Sequence, residues 1–368
     1  MCLLLSDIQH IWNHFSTDTS TDNECSWGLK GQLKSADLEG SQTLKLMKRR
    51  IIGTGTLEGP LNQNMELPSS LDDLDPKFVT RCSLIEIEGV SLPTTTAKYW
   101  DQIKSFQARP DDLLICSYPK AGSTWLQETV DMIQNADNLQ KCAQAPIYKR
   151  MPFLDMFPPI TFPSDLDTAE ARPSPRSLKS HLPVHLLPPS FWKQKCKVIY
   201  IARNVKDTVV SYFYFHHMNK TLPYPGNWEE FLDTFLAGKV ICGSWFDHVC
   251  GWWEAKKHHP ILYLFYEDMK EDPIREMRKI AQFLGLEVQE PVLNQILEHT
   301  QFESMKRNTM ANYRSVSPCL MDHNVSPFLR KGIVGDWKEH FTVSQSEQLD
   351  GICSQLLEGS GLTFNTEL

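Results

Sequence analysis

Apolar and polar positions along this chain fall into a few recurring patterns. Three short runs are almost continuously apolar: 113–116 (LLIC), Lys197–Ala202 (KVIYIA) and Ile261–Phe265 (ILYLF). Runs of this length without alternation predict strands buried on both faces. The acidic pair Asp111-Asp112 precedes the first run, and Pro119 follows it. Between the runs, apolar residues recur at helical spacing. Leu126, Val130 and Ile133 follow Trp125, while Ile274, Met277, Ile280, Phe283 and Leu284 follow Asp272-Pro273 and stop at Gly285. Aspartate and proline open such a helix, and glycine closes it. Further helices are predicted over Val205–Met218 with Asn204 as N-cap, over Trp228–Leu236, over 244–257 and 344–357, and a short one over 99–106. Residues 83–90 (SLIEIEGV) alternate, predicting a half-exposed strand ended by Gly89. Residues 177–183 (SLKSHLP) predict a short extended segment stopped by Pro183. Residues 142–176 are rich in proline and aromatic side chains and predict a long loop.

Strands alternating with helices predict an α/β fold with a P-loop-like central parallel sheet and helices on both faces. The pattern begins near Met65, so residues 65–368 are expected to form one domain. Residues 1–64 are rich in Ser, Thr, Asn and Gly without periodicity and predict a disordered extension. Their basic patch, Lys45, Lys48, Arg49 and Arg50, reads as a solvated face, with a partner or membrane-surface role as the sharper alternative. Met65 is a candidate second translation start.

Charge and cysteine usage narrow the function. Of 368 residues, 22% are charged and the net charge is −8, which argues against a general nucleic-acid or membrane-surface binder. An anionic ligand must be held by local charge instead. The 10 cysteines are scattered without metal-ligand spacing, which suits reduced thiols in a cytoplasmic protein. No apolar run reaches the roughly 20 residues of a membrane span, and the first residues lack a basic leader, so neither an anchor nor a signal peptide is expected.

The candidate chemistry centres on 113–125 (LLICSYPKAGSTW). A strand, a small-residue turn and a helix start together make an anion site, because the first helical N–H groups lack partners and the helix dipole favours negative charge. Lys120 adds a full charge. In a nucleotide-hydrolysing P-loop the lysine follows the last glycine, whereas Lys120 precedes Gly122. The strand KVIYIA ends in Arg203 rather than in the aspartate a Mg²⁺ site would use. A metal-free anion site is therefore favoured. Ligands in parallel sheets sit at the carboxyl ends of the strands, where the turn after Ser117, Arg203 and Tyr266 fall. Arg330-Lys331-Gly332 places two cations beside a glycine. A lone histidine such as His181 is more often structural than catalytic, but its place at the end of a short strand raises its interest. The pairs His216-His217 and His258-His259 lack metal-ligand spacing, and Trp245, Trp252 and Trp253 suit a buried helix face.

Five motifs, in order, carry a resemblance: YPKAGSTW at 118–125, KSHLP at 179–183, IARNVKDTVVSYF at 201–213, LFYEDM at 264–269 and RKGIVGDWKEHFT at 330–342. Together they resemble the cytosolic sulfotransferases, and within them family 1, the phenol branch, over residues 84–368. The resemblance implies 3′-phosphoadenosine 5′-phosphosulfate (PAPS) as sulfuryl donor and a small hydroxyl compound, best a phenol, as acceptor, with no metal. It implies that Lys120, Ala121, Gly122, Ser123, Thr124 and Trp125 wrap the 5′-phosphosulfate, with Trp125 stacking on the base. Arg203, Ser211, Arg330, Lys331 and Gly332 would hold the 3′-phosphate. Tyr266, Thr300, Phe302 and Met305 would contact the adenine. His181 would be the catalytic base and Lys120 and Lys179 its catalytic neighbours, with Ser180, Phe215, Phe153, Phe157 and Phe328 completing the acceptor site. Lys338, Thr342, Val343 and Glu347 match the family's dimerisation motif, implying a homodimer. Ala121, Ser123 and Ser180 depart from the commoner Ser, Thr and Thr; altered affinity rather than lost activity is expected. The rival readings are a Mg²⁺-dependent kinase or NTPase, and a nucleotide-binding module that has lost its chemistry. A Golgi carbohydrate sulfotransferase would need a membrane anchor that the sequence does not show.

Overall fold

In a computed structural model describing residues 79–155 and 165–368, the alternating segment after Ser83 turns back on itself. Strands β1 (Leu84–Ile87) and β2 (Val90–Pro93) pair antiparallel. The turn residues Glu88 and Gly89 have positive φ, 49° and 82°. Glycine takes that conformation freely, so the chain reverses where the sequence pattern suggested only an ending. The four residues of β2 are too few to establish a period. The expected extension 1–64, the Met65 start and Phe157 lie outside the described residues.

The three apolar runs and SLKS make one parallel sheet: β3 (Leu113–Ser117), β4 (Ser177–Ser180), β5 (Lys197–Ala202) and β6 (Ile261–Phe265), in the order β4-β3-β5-β6. Every residue of β3 is buried, and all of β5 beyond Lys197. A strand covered on both faces has no solvent side, which is why these runs do not alternate. Parallel neighbours need long crossovers, and helices supply them. Ser123–Gln134 leaves β3 and Val205–Met218 leaves β5; β6 is the last strand, and Tyr266–Glu271 follows it directly. Ser117 pairs with Ile201, and Ala202 with Phe265. The residues that follow each strand, Lys120, Arg203 and Tyr266, therefore emerge at one edge of the sheet.

Local signals set the helix ends. The Asn204 side chain accepts the Asp207 N–H, the Asp272 side chain accepts the Arg275 N–H, and Gly285 closes that helix at φ 79°. Thr342 and Gln345 form a capping box that starts the last helix at Val343. The helix after β3 begins at Ser123 rather than Trp125, because Gly122 takes the N-cap position. Ser123 and Thr124 thus belong to its first turn, with backbone donors free.

The expected long loop over 142–176 is corrected. It holds helices Ile147–Arg150 and Asp165–Ala171. Pro146 sits at the first helix's N-cap, where the missing N–H costs no helical hydrogen bond. Elements this short carry no readable period. The short helix expected over 99–106 is present as Trp100–Lys104, and a second one, Thr94–Lys98, precedes it and meets it at Tyr99. Trp245 and Trp252 are core residues. The eight described cysteines are free. Among the described residues no helix is long and apolar enough to cross a membrane.

Candidate active site

The turn after β3 is built on two left-handed residues, Lys120 (φ 69°) and Gly122 (φ 106°). A Cβ on Gly122 would stand 2.7 Å from the Tyr266 ring, so glycine here admits both the turn and the approach of the β6 end. Ala121 does not face the cleft. Its methyl is buried, and its N–H donates to the Tyr118 carbonyl at 3.2 Å, closing the turn. This corrects its expected place: Ala121 does not line the cleft, whereas Ser123 and Thr124, on the free helix start, do.

Cations converge on this turn. Lys120 is pushed down to about 7, first by burial and then by Lys179, Arg203 and Arg330. Arg203 follows β5, lies 4.4 Å over the Tyr266 ring and donates to the Ile333 carbonyl at 2.8 Å. Trp125 meets Tyr266 edge to face at 5.4 Å. Trp125 Nε1, Arg203 Nε and Arg330 Nε are buried donors with no protein acceptor. Leaving such a group unpaired costs about 1–3 kcal/mol. The cluster of positive charge and unpaired donors is therefore a site completed by an anion.

Arg330 and Lys331 differ from a free clamp. Both are ion-paired to buried Asp336, and Lys331 also to Glu339. These carboxylates hold the two cations at the rim of the cleft. Asp336, Glu339 and His340 lie close enough together to suggest a metal, but the charge of Asp336 is already matched by Arg330 and Lys331. Gly332 (φ 65°) lies against the Phe302 ring, where a Cβ would stand only 2.0 Å from a ring carbon. Ser211, Thr300 and Met305 complete the wall at this end. The Thr300 hydroxyl donates to the Ile296 carbonyl at 2.7 Å.

The other end is set by β4. Alternation along a strand places Lys179 and His181 on one side and Ser180 on the other. Ser180 is fully buried, and its hydroxyl accepts the Leu182 N–H at 3.0 Å, so its expected contact with a ligand is corrected. His181 Nδ1 lies 2.7 Å from the Ser117 carbonyl oxygen, an acceptor only. Nδ1 therefore carries the proton, and Nε2 keeps its lone pair. The ring is held well below the ordinary histidine value by burial, then by Lys179. Lys179 is itself lowered to about 8 by burial, opposed by Asp155 and Asp165.

Phe153 packs edge to face on His181 at 4.8 Å, and Phe215 and Phe328 also line the cavity, beside Lys120. Two contributors escaped the sequence reading. Asp155 accepts the His181 backbone N–H at 3.1 Å, and burial raises its carboxyl to about 6. Tyr313 stacks on Phe328 at 4.1 Å. Neither stands in a spacing that marks it; each is brought in by a loop. The cationic end and the His181 end open into one cavity of about 1110 Å³, lined by Lys120, Arg203, Lys179 and His181.

A family model described as "Sulfotransferase domain" matches residues 110–361. The chain is 54% identical to human Sulfotransferase 1C2 over 285 residues, 77% of this chain and 96% of that protein. It is 51% identical to mouse Sulfotransferase 1 family member D1 over 291 residues, 79% and 98% of the two. Among solved structures, a mouse sulfotransferase complexed with PAP superposes with TM-score 0.62 at 33% identity, covering 76% of this chain and 96% of that one. Retinol dehydratase in complex with androsterone and inactive cofactor PAP superposes with TM-score 0.71 at 25% identity, covering 80% and 94%. With the fold, the cationic turn and the motif order in agreement, the chain belongs to the sulfotransferase family, in its family 1 branch.

Proposed function

We propose that this sulfotransferase moves the sulfuryl group of PAPS to the hydroxyl of a small phenol, with His181 as general base. The observation that carries the reading is one cavity with Lys120, Arg203 and Arg330 at one end and a neutral histidine lone pair among aromatic rings at the other. PAP bound in the two structural neighbours supports the same nucleotide here. The three unpaired donors and the Gly332 surface, which a methyl would fill, fit a rigid polyanion.

The donor supplies an activated sulfate; this chain's residues orient it and manage charge. Ser123 and Thr124 N–H groups with Lys120 would receive the phosphosulfate. Arg203, Ser211 and Arg330 would grip the remote phosphate. Trp125, Tyr266, Phe302 and Met305 would enclose the base. The acceptor oxygen attacks sulfur in line as the bond from sulfur to the phosphate oxygen breaks. The hydroxyl proton passes to His181 Nε2, and Lys120 stabilises negative charge growing on the leaving phosphate. Lys179, close to the acceptor side, stabilises the transferring group. The test is direct. The protein incubated with PAPS and a panel of phenols should form sulfate esters with or without EDTA; PAPS binding without any ester would sink the catalytic reading.

The flat contact of Phe302 with Gly332 gives a sharper probe. Gly332→Ala must displace that ring and holds a strained positive φ. It is expected to weaken PAP binding roughly 5- to 30-fold, the equivalent of about 1–2 kcal/mol, as titration calorimetry would read. Unchanged affinity would remove this glycine from the nucleotide site.

We place the catalytic domain at residues 65–368, supported by the span of the relatives, and the enzyme in the cytoplasm, supported by its free thiols. We also propose a homodimer. Lys338, Thr342, Val343 and Glu347 are all exposed around the start of the last helix, and Val343 is 75% exposed. Lys338 pairs with Glu367 at 2.9 Å, and Thr342 caps the helix. Val343→Asp is expected to convert a dimer to a monomer in analytical ultracentrifugation. A monomeric parent protein would end the idea.

A further inference from the structure

Lys120 sits in an unusual electrostatic position. The charged side chains acting on it are all cations: Lys179 from β4, Arg203 from the end of β5 and Arg330 from the C-terminal loop. His181, whose own state is influenced by Lys120, is neutral. What faces the ammonium instead is aromatic. Lys120 Nζ lies 4.0 Å from the centre of the Phe328 ring and 4.4 Å from that of Phe215, and 3.5 Å from the Phe328 carbonyl oxygen. The two rings meet at 80° with centres 5.7 Å apart, so the ammonium occupies the corner between two π faces. Tyr313 stacks on the outer side of Phe328 and itself packs on Tyr148 at 5.4 Å, which fixes that ring.

We propose that Phe215 and Phe328 are positioning residues that serve Lys120 as uncharged counter-groups, favouring its charged form and aiming its ammonium while leaving it free for the donor's anion. The inference rests on the proposed PAPS reading for the identity of that anion, but the geometry stands without it. The physical logic is one of competition. A lysine surrounded by cations and removed from water loses its proton unless something stabilises the charge. A carboxylate would do so and would then compete with, and repel, an incoming phosphosulfate. A ring face attracts a cation through its quadrupole yet adds no net negative charge. The same rings line the acceptor side of the cavity, so one pair of side chains serves the acceptor wall and the charge of the donor-side lysine.

The primary test reads Lys120 in the donor-free protein, by site-resolved amine labelling across pH with mass spectrometry. The midpoint of Lys120 reactivity is expected well below that of an ordinary lysine, because burial and three cations act on it. In Phe328→Leu, and separately in Phe215→Leu, it is expected to fall by about 0.5–1 pH unit, because the lost ring face favoured the charged form. Phe328→Tyr, which keeps a π face, should restore the parent midpoint, a result that simple loss of packing would not produce. Midpoints unmoved in both leucine variants would overturn the proposal. PAP calorimetry on the same proteins separates the two readings. A parent protein that fails to bind PAP would overturn the assigned donor. PAP binding that survives, with midpoints unmoved, would overturn only the role of the rings.

Discussion

His181→Ala is expected to lower kcat by about 10² to 10⁴ while PAP still binds. That range is the usual worth of a well-placed general base. The direction follows from three features of the site. The Nδ1 contact with the Ser117 carbonyl at 2.7 Å fixes the tautomer that offers Nε2 as a base. Burial and the nearby Lys179 keep the ring neutral well below the ordinary histidine range, so the base stays competent at mildly acid pH and the acid limb of kcat/KM should lie below that range. The backbone N–H of the same residue is tied to Asp155 at 3.1 Å, a contact that alanine retains. His181 hydrogen-bonds to Ser117, Asp155 and His248 and to none of the side chains at the nucleotide end, so PAP calorimetry should report near-parental affinity. Turnover retained in the variant would take His181 out of the base role; PAP affinity lost with it would mean that the substitution disturbed the fold.

Arg176→Leu is expected to remove about 3–5 kcal/mol of folding stability, the typical consequence of leaving one member of a buried ion pair alone. Arg176 and Asp112 are 1% and 0% exposed. The guanidinium meets the carboxylate with two nitrogens, with Nε at 2.8 Å from Oδ1, and also donates to the Ala169 and Gln107 carbonyls at 3.0 and 3.1 Å. Asp112 in turn accepts the Arg109 N–H at 2.7 Å. The pair ties the start of β3 to the start of β4, upstream of Lys120 on one strand and of Lys179 and His181 on the other. Leucine keeps some bulk but strands a carboxylate in the core. Urea unfolding should show a lower midpoint for Arg176→Leu, partly recovered when Asp112 is also made apolar, because it is the unpaired charge that is costly. Arg176→Lys should recover little, since a point charge cannot reproduce the fork. An unchanged midpoint in the single variant would show that this pair does not hold the two strands.

Much of the fold is legible in the sequence because its signals are local. A four- to six-residue apolar run flanked by polar residues has few ways to hide its side chains, and Asn204, Asp272 and Gly285 punctuate helices through their own backbone contacts. The anion turn was legible for the same reason, since a strand, small residues and a helix start are neighbours in the chain. The sequence by itself thus determined the α/β class, the order of the sheet's apolar strands along the chain, the cationic turn at Lys120 and, through its motifs, the family. Only the tertiary structure decided which groups work on one another. Ser117 and His181 are 64 residues apart, and Lys120 and Phe328 208 apart, yet each pair is in contact. The pleat of β4 turned Ser180 away, the turn consumed the Ala121 N–H, and Asp336 took hold of Arg330 and Lys331. Contacts of that kind depend on where loops return across the sheet edge, a matter of packing and burial summed over the whole domain rather than of any pattern within a segment.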